Sequence, residues 1–211
     1  LHSFPTRRSS DLTIEGFVIL NQSDRIEVWN TNTGKVTTKE KISHSCARDR
    51  EIVTSFRGII AFRNISTLKI HKTIDTKAEV ITGLWYWFGT KILFSTTHAS
   101  FTLDTISETT SKMRYQITYA RKLGDKMLTI DRGAFYLDMW TENGVIKKFP
   151  INFQSGFCEY YPFGIVGDRI LVVEPVSSRE SSKINNLKIY DLKTTEKVGE
   201  VERGFARVCS W

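Results

Sequence analysis

The chain has 211 residues, of which 40% are hydrophobic and 12% aromatic, a composition that suits a globular core. Its 30 Lys and Arg residues outnumber 23 Asp and Glu residues, giving a formal net charge of +7. These charges are spread along the chain, whereas a nucleic-acid surface would cluster its basic residues. No apolar run approaches the about 20 residues that span a bilayer. Composition therefore argues against nucleic acid as a partner and against a membrane-spanning protein.

Cysteine usage favours a reducing compartment. Cys46, Cys158 and Cys209 are odd in number and far apart, so they do not form a disulfide framework. Asn21 and Asn64 each begin a glycosylation sequon, but that pattern arises often by chance and no signal peptide is visible. We therefore expect a cytoplasmic, intracellular protein.

The first residues stand apart from the rest of the chain. Residues 2–12 read HSFPTRRSSDL and resemble the translation of a short-read sequencing-library adapter, over the whole of that run. The alternative is a basic, Ser-rich tail or targeting peptide, which would equally be excluded from fold reasoning. We expect residues 1–12 to be a non-native segment and the chain to be a fragment open at both ends.

Five later segments share one pattern, which begins near residues 16, 57, 88, 123 and 166. A Gly turn precedes a strongly apolar strand, an alternating strand follows about ten residues later, and a polar turn leads to a Lys-, Glu- and Thr-rich strand. Self-similarity with a period of 20–50 residues indicates stacked structural units. The pattern predicts an all-β fold with essentially no helix, namely an incomplete β-propeller of about five four-stranded antiparallel blades.

The repeats also set the expected blade boundaries. Residues 13–211 are expected to form the partial propeller, with blades at about 13–42, 46–82, 83–116, 117–153 and 157–202, and the start of another at 204–211. The first blade is expected to lack its innermost strand. In the second blade, Ile60 is assigned to the apolar second strand and residues 77–84 to the last strand. This register places His71, Asp104 and Asp138 at the strand position that Trp29 and Tyr190 occupy elsewhere.

Two segments resemble the third strand and following turn of the WD-repeat superfamily and its quinoprotein-like relatives. These are Ile26-Glu-Val-Trp-Asn30 with Thr31-Asn-Thr-Gly34, and Leu187-Lys-Ile-Tyr-Asp-Leu192. No unit has the Gly-His pair that opens a WD repeat, and the buried Asp–His–Ser–Trp network of that family cannot be assembled. The resemblance implies a propeller that holds protein or peptide partners on its loops, often beside an adaptor module.

Two features are candidate binding elements. The aromatic cluster Trp85-Tyr86-Trp87 supplies possible anchors for a partner, with packing in the core as the alternative role. An insertion lengthens the loop between the second and third strands of the fifth unit, and insertions in repeat proteins often map to the binding face. The alternative is a flexible polar loop without a role. The candidate partner-binding residues of this loop are Ser177, Ser178, Arg179, Glu180, Ser181, Ser182 and Lys183.

Catalytic and metal sites are not predicted. His44, His71 and His98 are isolated and fit no zinc spacing. Asp104 and Asp138 could serve acid–base chemistry, but solvated strand ends or turn caps explain them more simply. No catalytic motif is present, and we expect no cofactor and no enzymatic activity.

The leading functional hypothesis is accordingly a non-catalytic protein-interaction scaffold. The rival is an enzymatic or ligand-binding propeller of the quinoprotein type, which needs ionisable groups converging on the innermost strands. The sequence offers six candidates for such a site: Arg48, Asp49, Arg50, Glu51, Arg121 and Lys122.

Overall fold

The computed structural model describes residues 12–14, 16–21, 24–48, 50–131, 136–151, 163–175 and 185–202. The chain divides into two compact units, Leu1–Ile117 and Thr118–Trp211. In the described ranges every regular element is a β-strand, and the strands form five four-stranded sheets. No helix in these ranges is long and apolar enough to cross a membrane. The predicted all-β fold of four-stranded antiparallel sheets is confirmed.

Three sheets fall in the first unit, and in each of them consecutive strands pair. The first sheet contains β1 (Leu12–Ile14), β2 (Phe17–Asn21), β3 (Arg25–Asn30) and β4 (Val36–Glu40). The second contains β5 (His44–Arg48), β6 (Glu51–Phe56), β7 (Ile59–Asn64) and β8 (Ile70–Asp75). The third contains β9 (Gly83–Tyr86), β10 (Lys91–Ser95), β11 (Ser100–Asp104) and β12 (Thr110–Lys112).

The remaining two sheets follow the same meander. The fourth contains β13 (Ile117–Leu123), β14 (Lys126–Asp131), β15 (Tyr136–Thr141) and β16 (Gly144–Pro150). The fifth contains β17 (Phe163–Val166), β18 (Arg169–Pro175), β19 (Asn185–Asp191) and β20 (Lys197–Glu202). In each sheet we call the end with the first-to-second and third-to-fourth strand connections the turn end, and the opposite end the loop end.

Apolar side chains join neighbouring sheets within each unit. The second strands of the second, third and fourth sheets are buried on both faces, as their nearly continuous hydrophobicity predicts. One cluster packs the first sheet on the second and includes Ile19, Val28 and Ile52. A second packs the second sheet on the third and includes Val53, Phe62, Ile92 and Leu103. The third cluster packs the fourth sheet on the fifth and includes Leu137, Met139, Phe149 and Tyr190.

The first sheet is more complete than its sequence predicts. Residues Leu12–Ile14 form β1 and pair with β2, so that Leu12 lies opposite Ile19. The expectation that this unit lacks its innermost strand was therefore wrong. Its basis was the adapter-like run, yet a Leu-Thr-Ile tripeptide next to the left-handed turn at Gly16 (φ 76°) has the composition of a short strand.

The second sheet is displaced by one strand from the predicted register. Gly58 belongs to the turn between β6 and β7, and Ile60 therefore lies on the third strand. Residues 76–82 connect β8 to β9 and do not form the predicted last strand. Consequently Arg63, not His71, occupies the position of Trp29, because Arg63 pairs with Ile52 as Trp29 pairs with Val18. The predicted register was wrong because a Gly turn separates β6 from β7, whereas the sequence pattern assigned the Gly turn to the connection between the first and second strands.

The same correction applies to Asp104 and Asp138. The position of Trp29 and Tyr190 is occupied by Leu103 in the third sheet, which pairs with Ile92, and by Trp140 in the fourth, which pairs with Met127. Asp104 thus lies one residue after this position and Asp138 lies two residues before it. The two carboxylates therefore occupy different positions in their sheets.

One side-chain-capped turn recurs at the turn end of four sheets. In each case an Asn or Asp ends the third strand, and its Oδ1 accepts backbone N–H groups two and three residues later, at 2.8–3.2 Å. The fourth residue after it has a positive φ between 54° and 68°. This Asx turn replaces backbone pairing where the chain reverses. Its four members are Asn30, Asn64, Asp104 and Asp191.

Because two of these residues are acids, the turns respond differently to pH. Backbone hydrogen bonds hold the pKa of Asp104 and of Asp191 below the ordinary aspartate range. A lowered pKa means that the folded chain favours the carboxylate, so this stabilisation exists above the ordinary range and is lost as the pH falls. We expect Asp104→Asn and Asp191→Asn to flatten the acid limb of a stability–pH profile followed by urea denaturation. Asn30→Asp should steepen that limb, and identical profiles for all three variants would contradict the assignment.

Lysines connect one sheet to the turn end of the next. Lys72 on β8 donates from Nζ to Thr105 O at 2.6 Å and forms an ion pair with Glu108 at 2.9 Å. Lys147 on β16 holds the equivalent position, since it lies opposite Met139 as Lys72 lies opposite Phe62, and it donates to Thr195 O. Lys126 reaches Leu192 O and Lys193 O in the same turn. Each unit therefore has one joint at which lysine binds backbone carbonyls of the following sheet.

Asp138 is a buried carboxylate on β15. It is 4% exposed, and its Oδ2 lies 3.2 Å from Lys148 Nζ, while no described residue hydrogen-bonds its Oδ1. Beside it, Trp140 Nε1 donates to Thr129 Oγ1 at 2.8 Å, an indole–hydroxyl contact between the third and second strands. Burial raises the pKa of Asp138 despite the opposing effect of Lys148.

The raised pKa of Asp138 predicts a pH dependence of stability opposite to that of Asp104 and Asp191. The fold favours the protonated form of Asp138, so ionisation destabilises the folded chain as the pH rises. We expect Asp138→Asn to raise the urea midpoint at pH 7 and to leave it unchanged near pH 3. Urea denaturation at both pH values gives the check, and a variant that is less stable at pH 7 would show that the Lys148 contact dominates.

Candidate functional site

A cluster of four polar side chains lies at the turn end between the second and third sheets. Glu51, the first residue of β6, accepts a hydrogen bond from the Tyr86 hydroxyl at 3.0 Å and lies 2.8 Å from His71 Nε2. The Arg48 guanidinium stacks over the Tyr86 ring, 4.7 Å from its centroid, and donates to Gly89 O. Four strands of two sheets therefore contribute to this cluster, and three of them meet at the Glu51 carboxylate.

The local backbone explains how His71 reaches this position. The pairing of β7 with β8 changes register between Phe62 and Arg63, which leaves His71 as the extra residue of a β-bulge. A bulge bends the strand and re-aims the side chain of the inserted residue. The His71 side chain is 52% exposed and that of Glu51 is 31% exposed, so the cluster is open to solvent on one side.

The chemistry available here is recognition by hydrogen bonds and charge. The Tyr86 hydroxyl donates to Glu51, and burial raises the pKa of Tyr86, so the phenolate is not formed near neutral pH. Cys46 lies behind the cluster, and burial raises the pKa of its thiol as well, which makes it a poor nucleophile. The cluster thus contains donors and an acceptor but no activated nucleophile.

The Tyr86–Glu51 contact can be measured directly. We expect a double-mutant cycle of Tyr86→Phe and Glu51→Gln to give a coupling energy of about 1 kcal/mol, because Tyr86 is buried while Glu51 is partly exposed. The matched control is Tyr86→Phe with Glu108→Gln, since Glu108 pairs with Lys72 instead. Additive effects in the first cycle would show that the hydrogen bond does not stabilise the fold.

Most other ionisable candidates lie elsewhere. Arg50 is exposed in the turn between β5 and β6, and Asp49 lies outside the described residues. Arg121 and Lys122 are exposed on β13. Of the innermost-strand residues proposed for an enzymatic site, only Arg48 joins Glu51 in the polar cluster.

The aromatic candidates lie at the end of β9. Tyr86 and Trp87 are each 8% exposed, and Trp87 packs edge to face on Phe88 with ring centroids 5.1 Å apart. Trp85 is half-buried, and its ring covers Gly83 so closely that a Cβ there would lie 2.0 Å from it. Tyr86 and Trp87 therefore pack in the interior, and Trp85 retains partial access to solvent.

The Ser-rich insertion Ser177–Lys183 lies outside the described residues, between Pro175 at the end of β18 and Asn185 at the start of β19. His44 and His71 lie at different ends of the second sheet, and His98 lies in the exposed connection between β10 and β11. Among the described residues no three His, Cys, Asp or Glu side chains come close enough to hold a metal ion.

A surface that the sequence did not single out lies at the loop end of the second sheet. Phe56, the last residue of β6, pairs with Ile59, the first residue of β7. Their exposed fractions are 37% and 45%. The Arg57 guanidinium lies 5.2 Å from the Phe56 ring centroid. Val80, 53% exposed, belongs to the connection that packs on this hairpin, where Thr76 donates to Gly58 O. We call Phe56, Arg57, Ile59 and Val80 the hairpin surface.

Solved structures identify the fold. No protein-family model and no curated protein matches the sequence. The β-propeller domain of Cps50 (Swd1) from Myceliophteria thermophila matches with a TM-score of 0.55 and 11% identity, over 92% of this chain and 85% of that one. The RRP9 WD40 repeats match with a TM-score of 0.57 and 8% identity, over 89% and 60%.

A propeller from an enzyme is equally similar. Dihydro-heme d1 dehydrogenase NirN matches with a TM-score of 0.55 and 11% identity, over 89% of this chain and 45% of that one. The chain thus spans less than two thirds of the RRP9 and NirN chains. At these identities the likeness establishes the fold, a divergent β-propeller related in form to WD-repeat and quinoprotein-like structures, and leaves function to be argued from the residues.

Proposed function

We propose that this chain is a non-catalytic protein-interaction scaffold whose partners are proteins or peptides. The observation that carries the proposal is the contrast between the two ends of the sheets. Four sheets have the same Asx turn at the turn end, and the role of this turn is structural, because it caps the backbone where the chain reverses. The loop-end connections differ in length and composition, from two residues at Arg57–Gly58 to the Ser-rich insertion. Varied loops on a uniform scaffold are the usual location of binding residues.

The hairpin surface is the best-defined binding element among the described residues. Its exposed aromatic and aliphatic side chains offer apolar contact area, and Arg57 adds a charged donor next to the Phe56 ring. Aromatic residues and Arg are enriched where binding energy concentrates. We include the Ser177–Lys183 insertion and the half-buried Trp85 as further candidate contacts.

The absence of enzymatic activity is part of the proposal. The polar cluster around Glu51 is the described site nearest in character to a catalytic one, and its Tyr86 and Cys46 are not activated. We also propose an intracellular setting, in keeping with a buried free thiol at Cys46.

The test is a quantitative cross-linking pull-down with the full chain as bait. We expect Phe56→Ser combined with Ile59→Thr to abolish capture of a defined partner, with the Arg57–Gly58 turn intact. Ile106→Ser is the matched control, because Ile106 is 77% exposed but lies in the Asx turn of the third sheet. A second bait replaces Ser177–Lys183 by a Gly-Ser sequence of equal length. Partners retained by both variants, or lost equally in the control, would refute the assignment of these surfaces.

A further inference from the structure

The fourth strand is the outer edge of each sheet, and the five outer strands differ in their capacity to pair with a further strand. Among the described strands, each of them pairs on one side only. The other side presents backbone N–H and C=O groups that an extended chain can bind. Within each unit the sheets join through their faces, so further sheets of the same kind would cover faces and leave these edges open.

Four of the five outer edges are bulged or short. The pairing of the third and fourth strands changes register in the second, fourth and fifth sheets, which leaves His71, Ile146 and Val198 as the extra residues of β-bulges. A bulge twists an edge and ends regular pairing. In the third sheet, β12 has 3 residues. The strand β4 is different, because Val36–Glu40 pairs with β3 over 5 residues without a register shift.

The register of β4 shows which of its backbone groups point outward. The Asn30 N–H donates to Lys35 O at 2.9 Å, and in an antiparallel ladder such pairs alternate with pairs that share no hydrogen bond. Alternate residues of β4 therefore direct their N–H and C=O groups away from β3. These are Val36, Thr38 and Glu40. The space beside the second half of the strand is an open depression of about 400 Å³, lined by Thr38, Lys39, Glu40 and Lys41.

Lysines surround this edge. Lys35 precedes β4, Lys39 lies in it and Lys41 follows it, and all of these side chains are exposed. No described residue forms an ion pair with them. With Glu40 as the one acid, residues 35–41 have 3 lysines and 1 glutamate, a net charge of +2. Edge lysines oppose pairing with a second copy of the same edge, but they attract a strand of opposite charge.

We propose that the outer edge of β4 accepts an extended acidic segment of a partner protein as an added strand. This inference rests on the proposed scaffold function and names the chemistry of one partner. Main-chain hydrogen bonds to the outward-facing groups of β4 supply the affinity, and acidic side chains at alternate positions of the segment pair with the lysines and supply the specificity. β-Branched residues between the acids suit a strand beside Val36 and Thr38.

Fluorescence anisotropy with the full chain and a labelled, capped peptide of alternating Glu and Val residues, about six residues long, tests the charge requirement. We expect saturable binding that weakens as salt is added. Lys39→Glu combined with Lys41→Glu should weaken binding by about tenfold or more, and this variant should bind a peptide of alternating Lys and Val instead. The matched control is Lys69→Glu with Lys112→Glu, which changes the net charge equally at two exposed lysines of other sheets.

Three measurements distinguish strand addition from attraction between charges alone. Thr38→Pro removes an outward N–H and leaves the ladder with β3 intact, so it should abolish binding while circular dichroism verifies the fold. In the peptide, N-methylation of either all Glu or all Val residues should abolish binding, and methylation of the other set should be tolerated. Bound peptide should also slow amide hydrogen exchange at Thr38, whereas exchange at Thr37 is already slow because its N–H bonds to β3.

The outcomes that overturn the inference are specific. They are no binding of the Glu-Val peptide, equal weakening by the Lys69 and Lys112 control, and undiminished binding by Thr38→Pro. The scaffold function is tested separately, because capture in the pull-down depends on Phe56 and Ile59, which lie outside β4. Loss of that capture together with a peptide that does not bind would therefore refute strand addition and leave the scaffold function in place.

Discussion

Replacing Gly58 with alanine is expected to destabilise the first unit by about 3 kcal/mol or more. Gly58 has a φ of 77°, and a Cβ built on it would lie 1.9 Å from Ala78 O. The same residue accepts hydrogen bonds from the Thr76 N–H at 3.1 Å and the Thr76 hydroxyl at 2.6 Å. Alanine would therefore strain the turn and push the connection 76–82 away from the hairpin.

Gly34→Ala separates these two causes. Gly34 has a similar φ of 68°, but no atom lies within 4 Å of a Cβ at that position. We expect this control to cost about 1 kcal/mol, the cost of the left-handed conformation alone. Urea denaturation of both variants gives the comparison. Equal losses would mean that the close approach of the connection to Gly58 contributes nothing.

A pair of equivalent serines is expected to respond to alanine with different signs. Ser95 Oγ donates to Ile117 O at 2.7 Å and lies 2.7 Å from Ser100 Oγ, which in turn accepts from the Ile117 N–H at 2.7 Å. Ser95 and Ser100 are 2% and 0% exposed. Ser95→Ala removes the short hydrogen bond to a buried carbonyl and leaves it only the long one from Ser100 Oγ at 3.5 Å, and we expect a loss of about 1–3 kcal/mol.

Ser55 is the counterpart of Ser95 in the second sheet. It is 1% exposed, and its Oγ has no hydrogen-bond partner in the described ranges. Because an unsatisfied buried hydroxyl already carries a desolvation cost, we expect Ser55→Ala to be neutral or to stabilise by up to about 1 kcal/mol. Unfolding free energies of the Ser55→Ala and Ser95→Ala variants, measured under the same conditions, test this prediction. A destabilising Ser55→Ala would reveal a hydrogen bond that the hydroxyl makes on folding.

Much of the architecture could be predicted from the sequence, because it depends on local patterns. The strand Lys91–Ser95 has the continuous apolar run Ile92-Leu-Phe94 and the strand Ser100–Asp104 alternates, and each becomes the strand that its period indicates. The register of the second sheet could not be predicted in the same way. Gly58 fits either of two turns, and only the pairing of Glu51 with Asn64 decides between them.

The Asx turns illustrate a second limit. Asn30 and Asp191 are recognisable because an aromatic residue precedes each of them, whereas Asn64 follows Arg63 and Asp104 follows Leu103. The left-handed residue of the turn is Gly only once and is otherwise Leu68, Glu108 or Thr195. A turn that is defined by hydrogen bonds to the backbone permits this variety, so the sequence signal weakens while the geometry persists.

The candidate site was the least predictable part. Glu51 contacts His71 and Tyr86, which are 20 and 35 residues away in sequence. The β-bulge directs His71 toward Glu51, and the third sheet supplies Tyr86. The local sequence pattern around Glu51 shows neither effect. The hairpin surface was not predicted for a related reason. The sequence pattern assigns Phe56 and Ile59 to strands, but it does not show that these residues are exposed at the strand ends.

The joints made by Lys72 and Lys147 have a consequence for how such a chain diverges. Each lysine binds carbonyl oxygens, which every residue type carries, so the turn that receives it can change in sequence and still accept the same bond. Substitutions on the receiving side therefore leave the lysine–carbonyl bond in place, and of these contacts only the ion pair of Lys72 with Glu108 depends on a side chain there. Neighbouring sheets can therefore differ in turn sequence while the same kind of joint holds one to the next.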